Sequence, residues 1–147
     1  MLKRTAALAG VAAGLIAGGA SAAGMQQFQW QNRPLVVFAP AADSAPLQRQ
    51  RRIAAEHAAG FAERDMVVIS VVADAPVGVD GAPAKDLSNA ALRARFEVPP
   101  EAFAAILVGK DGGAKLRRDA PLDAATLFST IDAMPMRRRE MREDGEG

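Results

Sequence analysis

The chain has 147 residues, 50% of them hydrophobic and 24% charged, with a formal net charge of +1 and no cysteine. That balance suits one folded domain rather than a disordered chain, and the lack of cysteine excludes disulfides, thiolate catalysis, iron–sulfur clusters and cysteine-ligated zinc. The near-neutral charge, with only 5% aromatic residues, leaves no electrostatic or stacking footprint for nucleic acid.

Residues 1–22 read as a secretory signal peptide. Lys3 and Arg4 form a basic start, Thr5 to Ala17 is a weakly apolar run, and Ala20-Ser21-Ala22 is a small-x-small cleavage pattern. The run is shorter than the roughly 20 apolar residues that span a bilayer, so no integral span is expected in the mature chain. Cleavage near Ala22 removes two of the 18 basic residues and leaves 16 against 17 acidic ones, a formal net of −1. The layout is of bacterial type, and the expected location is the periplasm or the exterior.

Residues 23–34 form an N-terminal arm. Phe28 and Trp30 alternate with Gln29 and Gln31, which fits a short edge strand or an arm whose aromatics cover the core. Leu35 to Ala39 is continuously apolar and predicts a strand buried on both faces, with Pro34 and Pro40 at its ends. Asp43 or Ser44 caps the next helix, Pro46 sits in its first turn, and the helix is expected to reach about Phe61. Leu47, Ala54, Ala58 and Phe61 are its apolar face, and Gly60 lies near its C-cap. Met66 to Val72 is a second buried strand, parallel to the first through a right-handed crossover.

Ala73 to Pro83, rich in Pro and Gly, reads as a loop. A helix from about Asp86 to Phe96 starts at Asp86 or Ser88 and is stopped by Pro99 and Pro100. Phe103 to Val108 is the third strand, Gly109 to Gly113 a hairpin turn, and Ala114 to Arg118 an edge strand with one wet face. The last helix runs from about Asp123 to Ala133. Residues 137–147 form a charged tail, expected to be solvated or frayed.

The order β-α-β-α-β-β-α predicts an α/β, thioredoxin-like domain over residues 35–136. It has a central mixed four-stranded sheet, ordered second, first, third, fourth strand, with helices on both faces. Two stretches support this by resemblance. Phe38-Ala39-Pro40-Ala41-Ala42-Asp43-Ser44-Ala45-Pro46-Leu47 resembles the active-site loop of peroxiredoxins, with Ser44 at the hydroxyl position and Leu47 where the reactive cysteine would stand. Ala104 to Gly112 resembles the thioredoxin stretch ending in a Lys-Asn-Gly-type turn, with Ala104 at the cis-proline position. The mature chain also resembles an uncharacterised bacterial exported family of the DUDES-type thioredoxin-like domains. The matching pieces are Arg33-Pro34-Leu35, Arg64-Asp65-Met66, Leu107 to Gly113 and Ile131 to Arg137. The resemblance implies the fold and an extracytoplasmic setting, and no reaction.

No residue set builds a catalytic centre. His57, the only histidine, lies 13 residues beyond Ser44 on one expected helix, about 20 Å at 1.5 Å per residue, beyond a base's reach. The spacing of Asp43, Asp74, Asp80 and Asp86 matches no calcium loop, so no metal and no cofactor is expected. The binding candidates are Asp43 and Ser44 at the strand–helix junction, Arg64 and Asp65 as an ion pair at a strand entrance, and Lys110 in the hairpin turn. The expected function is that of an exported, non-catalytic module binding an unidentified protein or envelope component. The alternative is an enzyme using Arg, Asp or Ser at the strand ends, without thiol redox chemistry.

Overall fold

The computed structural model describes residues 24–146, so the signal-peptide reading of residues 1–22 lies outside the described residues. A 3-10 turn, Met25–Phe28, precedes β1, Arg33–Ala39. Then come helices α1 (Ala45–Glu56) and α2 (Ala58–Glu63), and strands β2 (Met66–Val72), β3 (Gly78–Val79) and β4 (Ala82–Pro83). They are followed by α3 (Asn89–Phe96), β5 (Ala104–Val108), β6 (Ala114–Arg118), α4 (Ala124–Asp132) and α5 (Pro135–Glu146).

The sheet order is β4-β3-β2-β1-β5-β6. Only β1 and β2 are parallel, in register from Arg33 opposite Met66 to Ala39 opposite Val72, and β5 runs antiparallel to β1. All seven residues of β1 are buried, which is why that strand carries no polar alternation. Val36 and Phe38 pack under α3 and the N-terminal turn with Leu92, Phe96 and Phe28. Leu35, Val37 and Ala39 pack under α1, α2 and α4 with Leu47, Phe61, Leu127 and Ile131. Helices on both faces of a mixed sheet are thus observed as expected, and the predicted four-strand order is its middle and one edge.

The remaining edge corrects the sequence reading. Residues expected as loop form the hairpin β3–β4, turning on Asp80 (φ +50) and Gly81 (φ +89). An Asp-Gly pair with both residues at positive φ is the favoured two-residue hairpin turn. Strands of two residues are too short to show alternation, so the stretch reads as a loop. The Asp80 carboxylate ties the hairpin to β2 by accepting from the Val68 N–H at 2.8 Å.

The first helix also differs. It breaks at His57 (φ −120, ψ 33), leaving Ala58 exposed while Phe61 is buried on the Phe128 ring, 5.8 Å between centroids. Gly60 is not a C-cap. A Cβ there would lie 2.6 Å from the Phe128 ring, so the glycine lets α2 approach α4. Trp30 is no core lid either: it is 58% exposed, while Phe28 is buried. The expected solvated tail is helix α5, and its Arg137 is 1% exposed.

Gln50, 1% exposed in the middle of α1, pairs with the backbone of Leu122. Its Nε2 donates to the carbonyl at 2.9 Å, and its Oε1 accepts from the N–H at 2.8 Å. Gln50→Leu leaves both backbone groups buried without partners. The expected loss is about 1–3 kcal/mol of stability, read from the urea midpoint; an unchanged midpoint would show that water satisfies them.

Candidate functional site

The sheet has two poles of different character. At the C-terminal ends of β1 and β2 stands the strand–helix junction that resembles a peroxiredoxin loop. Leu47 is fully buried there. Ser44 occupies the N-cap position of α1, but its side chain makes no capping hydrogen bond, contrary to expectation. Its carbonyl accepts from the Gln48 N–H at 3.0 Å, and Pro46 preorganises the first turn. Asp43 is exposed.

The strand ends at this pole are filled from α3. The Arg93 Nη2 donates to the Ala39 and Ala73 carbonyls at 3.2 and 3.1 Å, and its Nε to Asn89 Oδ1 at 3.1 Å. The Asn89 Nδ2 in turn donates to the carbonyls of Ala73 and Ala75. These carbonyls lie at the end of β1 and in the turn after β2; the Ala39 carbonyl also accepts from the Ala73 N–H at 2.9 Å. The Arg93 guanidinium, 5.7 Å from the Phe38 ring centroid, thus bridges the ends of β1 and β2, and Asn89 holds the turn that follows.

At the opposite pole the chain gathers its ion pairs. Arg33, the first residue of β1, is 1% exposed. Its Nη1 and Nη2 bind the two Glu140 carboxylate oxygens at 3.2 and 3.1 Å, and Nη1 also donates to the Arg64 carbonyl. Lys110 follows β5, and its Nζ donates to Glu140 at 2.7 Å and to Asp65 at 2.8 Å. The expected Arg64–Asp65 pair does not form. Asp65 takes a left-handed backbone (φ +55); its carboxylate meets Lys110, and Arg64 reaches Asp132 at 3.1 and 3.0 Å while stacking on Phe128 at 4.0 Å. Arg137 closes the network by donating to Asp132 at 3.0 Å and Glu63 at 2.7 Å.

The electrostatics follow from this geometry. Burial pushes the Glu140 carboxyl up, but hydrogen bonds from Lys110 and Arg33 outweigh it and hold the group below its ordinary value. Asp132 behaves likewise: burial raises it, and Arg64 and Arg137 bring it down further. Carboxylates held ionised this way are poor proton donors or acceptors near neutrality. Among the described residues, no group of three or more His, Cys, Asp or Glu is placed to hold a metal ion.

Of the five binding candidates, the structure brings Arg64, Asp65 and Lys110 into this one network and leaves Asp43 and Ser44 at the other pole. Sequence reasoning missed Arg33, Glu63, Asp132, Arg137 and Glu140 as partners, and Arg93 and Asn89 as donors to the carbonyls at the first pole. Beside the network lies a cleft of about 320 Å³, lined among others by Trp30, Lys110, Met134, Pro135 and Met136.

Compared with known proteins, the fold is similar to that of the reduced 2-Cys peroxiredoxin of Plasmodium vivax. The TM-score is 0.55 and the identity 14%, over 77% of this chain and 83% of that one, which shows a thioredoxin-like fold. In sequence the chain is 27% identical over 133 residues to coiled-coil domain-containing protein 80 of Danio rerio, covering 80% of this chain. It is 29% identical over 124 residues to the sushi repeat-containing protein SRPX of Rattus norvegicus, covering 82% of this chain. The chain spans only 15% and 27% of the length of these two relatives. Among the described residues, no helix is long and apolar enough to cross a membrane. Residues 24–140, from the N-terminal turn through the Glu140 that closes the ion network, match the model of the family described as "Domain of unknown function (DUF4174)", and the chain belongs to that family.

Proposed function

We propose that the protein is a non-catalytic thioredoxin-like domain that acts outside the cytoplasm as a protein-binding or envelope-associated module. The observation that carries this reading is the make-up of the strand–helix junction. The place where this fold would present a reactive group holds the buried Leu47 and the carbonyl-bound Arg93. Similar segments in two much longer animal proteins support a domain used as a unit of larger assemblies. Export by a leader cleaved near Ala22, and membership of the DUDES-type exported branch, belong to the same proposal. The alternative of an enzyme using Arg, Asp or Ser at the strand ends has less support. Among the described residues, the Ser44 hydroxyl makes no capping hydrogen bond and meets no base, and the carboxylates of the other pole are held by cations.

The test couples two measurements. Mature protein is used as bait in a bacterial periplasmic extract with a short crosslinker, and metal-free protein is mixed with peroxide and a dithiol. The expected result is repeated enrichment of one protein and no peroxide turnover. Clear turnover, or failure to enrich any protein in replicate captures, overturns the reading.

A further inference from the structure

The cleft beside Trp30 combines three features that packing alone does not require. The first is Trp30 itself, 58% exposed and the single tryptophan of the chain. Its backbone is left-handed (φ +68), a conformation that costs a non-glycine residue about 1–3 kcal/mol. The conformation is held by the Trp30 N–H donating to the Lys110 carbonyl at 2.6 Å and by the neighbouring Gln29 Nε2 donating to the Asp111 carbonyl at 3.0 Å. An aromatic presented on a fixed backbone loses little freedom on binding, and tryptophan is enriched among the residues that dominate protein interfaces. Met134 and Met136, which line the same cleft, are only partly buried; methionine adapts its shape to apolar partners.

The second feature is charge. The side chains bordering the cleft include Arg33, Lys110, Lys115 and Arg139 against Asp111 alone. Glu140 and Asp65 neutralise Arg33 and Lys110, and Asp111 neutralises Lys115 at 2.8 Å. Arg139 is exposed and forms no ion pair among the described residues, so it is the cation on the rim that is open to an anion. The third is an unmet donor. Arg33 borders the cleft, and its buried Nε is the one side-chain nitrogen or oxygen among the buried described residues without a hydrogen-bond partner. A buried N–H without an acceptor is costly enough to require an explanation.

We propose that this cleft is the docking site for an acidic, apolar segment of a protein partner, an inference that rests on the binding reading above. An apolar side chain of the segment lies against Trp30 and Met136, and its carboxylates meet Arg139 on the rim. A nucleic acid or anionic bilayer would require a broad basic surface, whereas here the cations other than Arg139 are already matched by Asp65, Asp111 and Glu140.

With one tryptophan and no tyrosine in the chain, intrinsic fluorescence reports on this cleft directly. The probe is a blocked octapeptide alternating Asp and Leu, compared with its Lys and Leu counterpart, with polyphosphate and with phosphatidylglycerol vesicles. The Asp and Leu peptide is expected to give a saturable change in emission that weakens with salt. Arg139→Glu should weaken binding by about tenfold, while Arg138→Glu, of equal charge but away from the cleft, changes it less than about twofold. Trp30→Ala, followed by anisotropy of labelled peptide and checked for folding by circular dichroism, should also lose about tenfold. Equal effects of the two arginine variants, tighter binding of the Lys and Leu peptide, polyphosphate or vesicles, or no saturable change would overturn the proposal. The periplasmic capture separates it from the reading beneath it. A partner retained equally by wild type, Trp30→Ala and Arg139→Glu overturns the site and leaves the binding module standing; capture of no partner overturns the module.

Discussion

Replacing Glu140 with alanine is expected to destabilise the protein by about 3–5 kcal/mol, the cost of leaving a buried charge without its partner. Among the described residues, Glu140 is the only carboxylate that meets the Arg33 guanidinium in a hydrogen-bonded pair, and it does so with both oxygens. Without it, Arg33 keeps a single acceptor, the Arg64 carbonyl, in a site that is 1% exposed. Lys110 suffers less, because Asp65 still holds it. The loss has a ceiling: once it exceeds the free energy that docks α5, the helix detaches and water reaches Arg33. Hydrogen exchange over residues 135–146 distinguishes this outcome from global unfolding. The control is Glu143→Ala, one turn further along the exposed part of the helix, which should change stability by less than about 0.5 kcal/mol. The double variant Arg33→Met with Glu140→Met removes both charges and should recover most of the loss. If urea unfolding shows the single-variant losses simply adding, the pair is not what holds this pole together.

The contrast between Glu140 and β1 shows how far the sequence reaches. A strand with apolar residues at every position can only be central, and one helix between two such strands forces a parallel crossover. Local composition therefore sufficed for the middle of the sheet, and Asp-Gly-Gly sufficed for the turn from β5 to β6, where Gly112 takes φ +88. Ion pairs carry no such local mark. Arg33 and Glu140 are 107 residues apart, and Arg137 and Glu63 are 74 apart. A cation's sequence neighbourhood does not say which anion it will meet. Helix α5 looked like a solvated tail because its docking face is made of Arg137 and Glu140 instead of an apolar stripe. Strand-end carbonyls have no sequence signature, so nothing in the sequence marks Arg93 as their donor. Trp30 misled for a related reason: its alternation with Phe28 suggested a strand, and nothing in the sequence marks the left-handed backbone that turns it outward.

The same network should make the protein acid-labile in a defined window. The folded-state values of Glu140 and Asp132 lie below their ordinary values of 4.5 and 3.8. Between the ordinary and the depressed values the unfolded chain binds more protons than the folded one, so stability falls as pH falls. The contribution is complete above about pH 5, where both carboxylates are ionised in either state. It is lost as pH drops through the folded values, when Lys110, Arg33, Arg64 and Arg137 are left facing neutral acids. Urea midpoints should thus be level from pH 7 to about 5 and decline below that. The decline should be shallower in Glu140→Gln, which has lost the titrating group, so the gap between the two proteins narrows towards pH 3. High salt imitates this only weakly, because screening acts on exposed charges far more than on partly buried ones. Intrinsic fluorescence follows the same transition locally: the cleft beside Trp30 is lined in part by α5 residues, so undocking α5 should alter Trp30 emission at a pH where far-ultraviolet circular dichroism still reports an intact sheet. If emission and circular dichroism change together, α5 is not a separately released element, and the ion network belongs to one cooperative unit with the core.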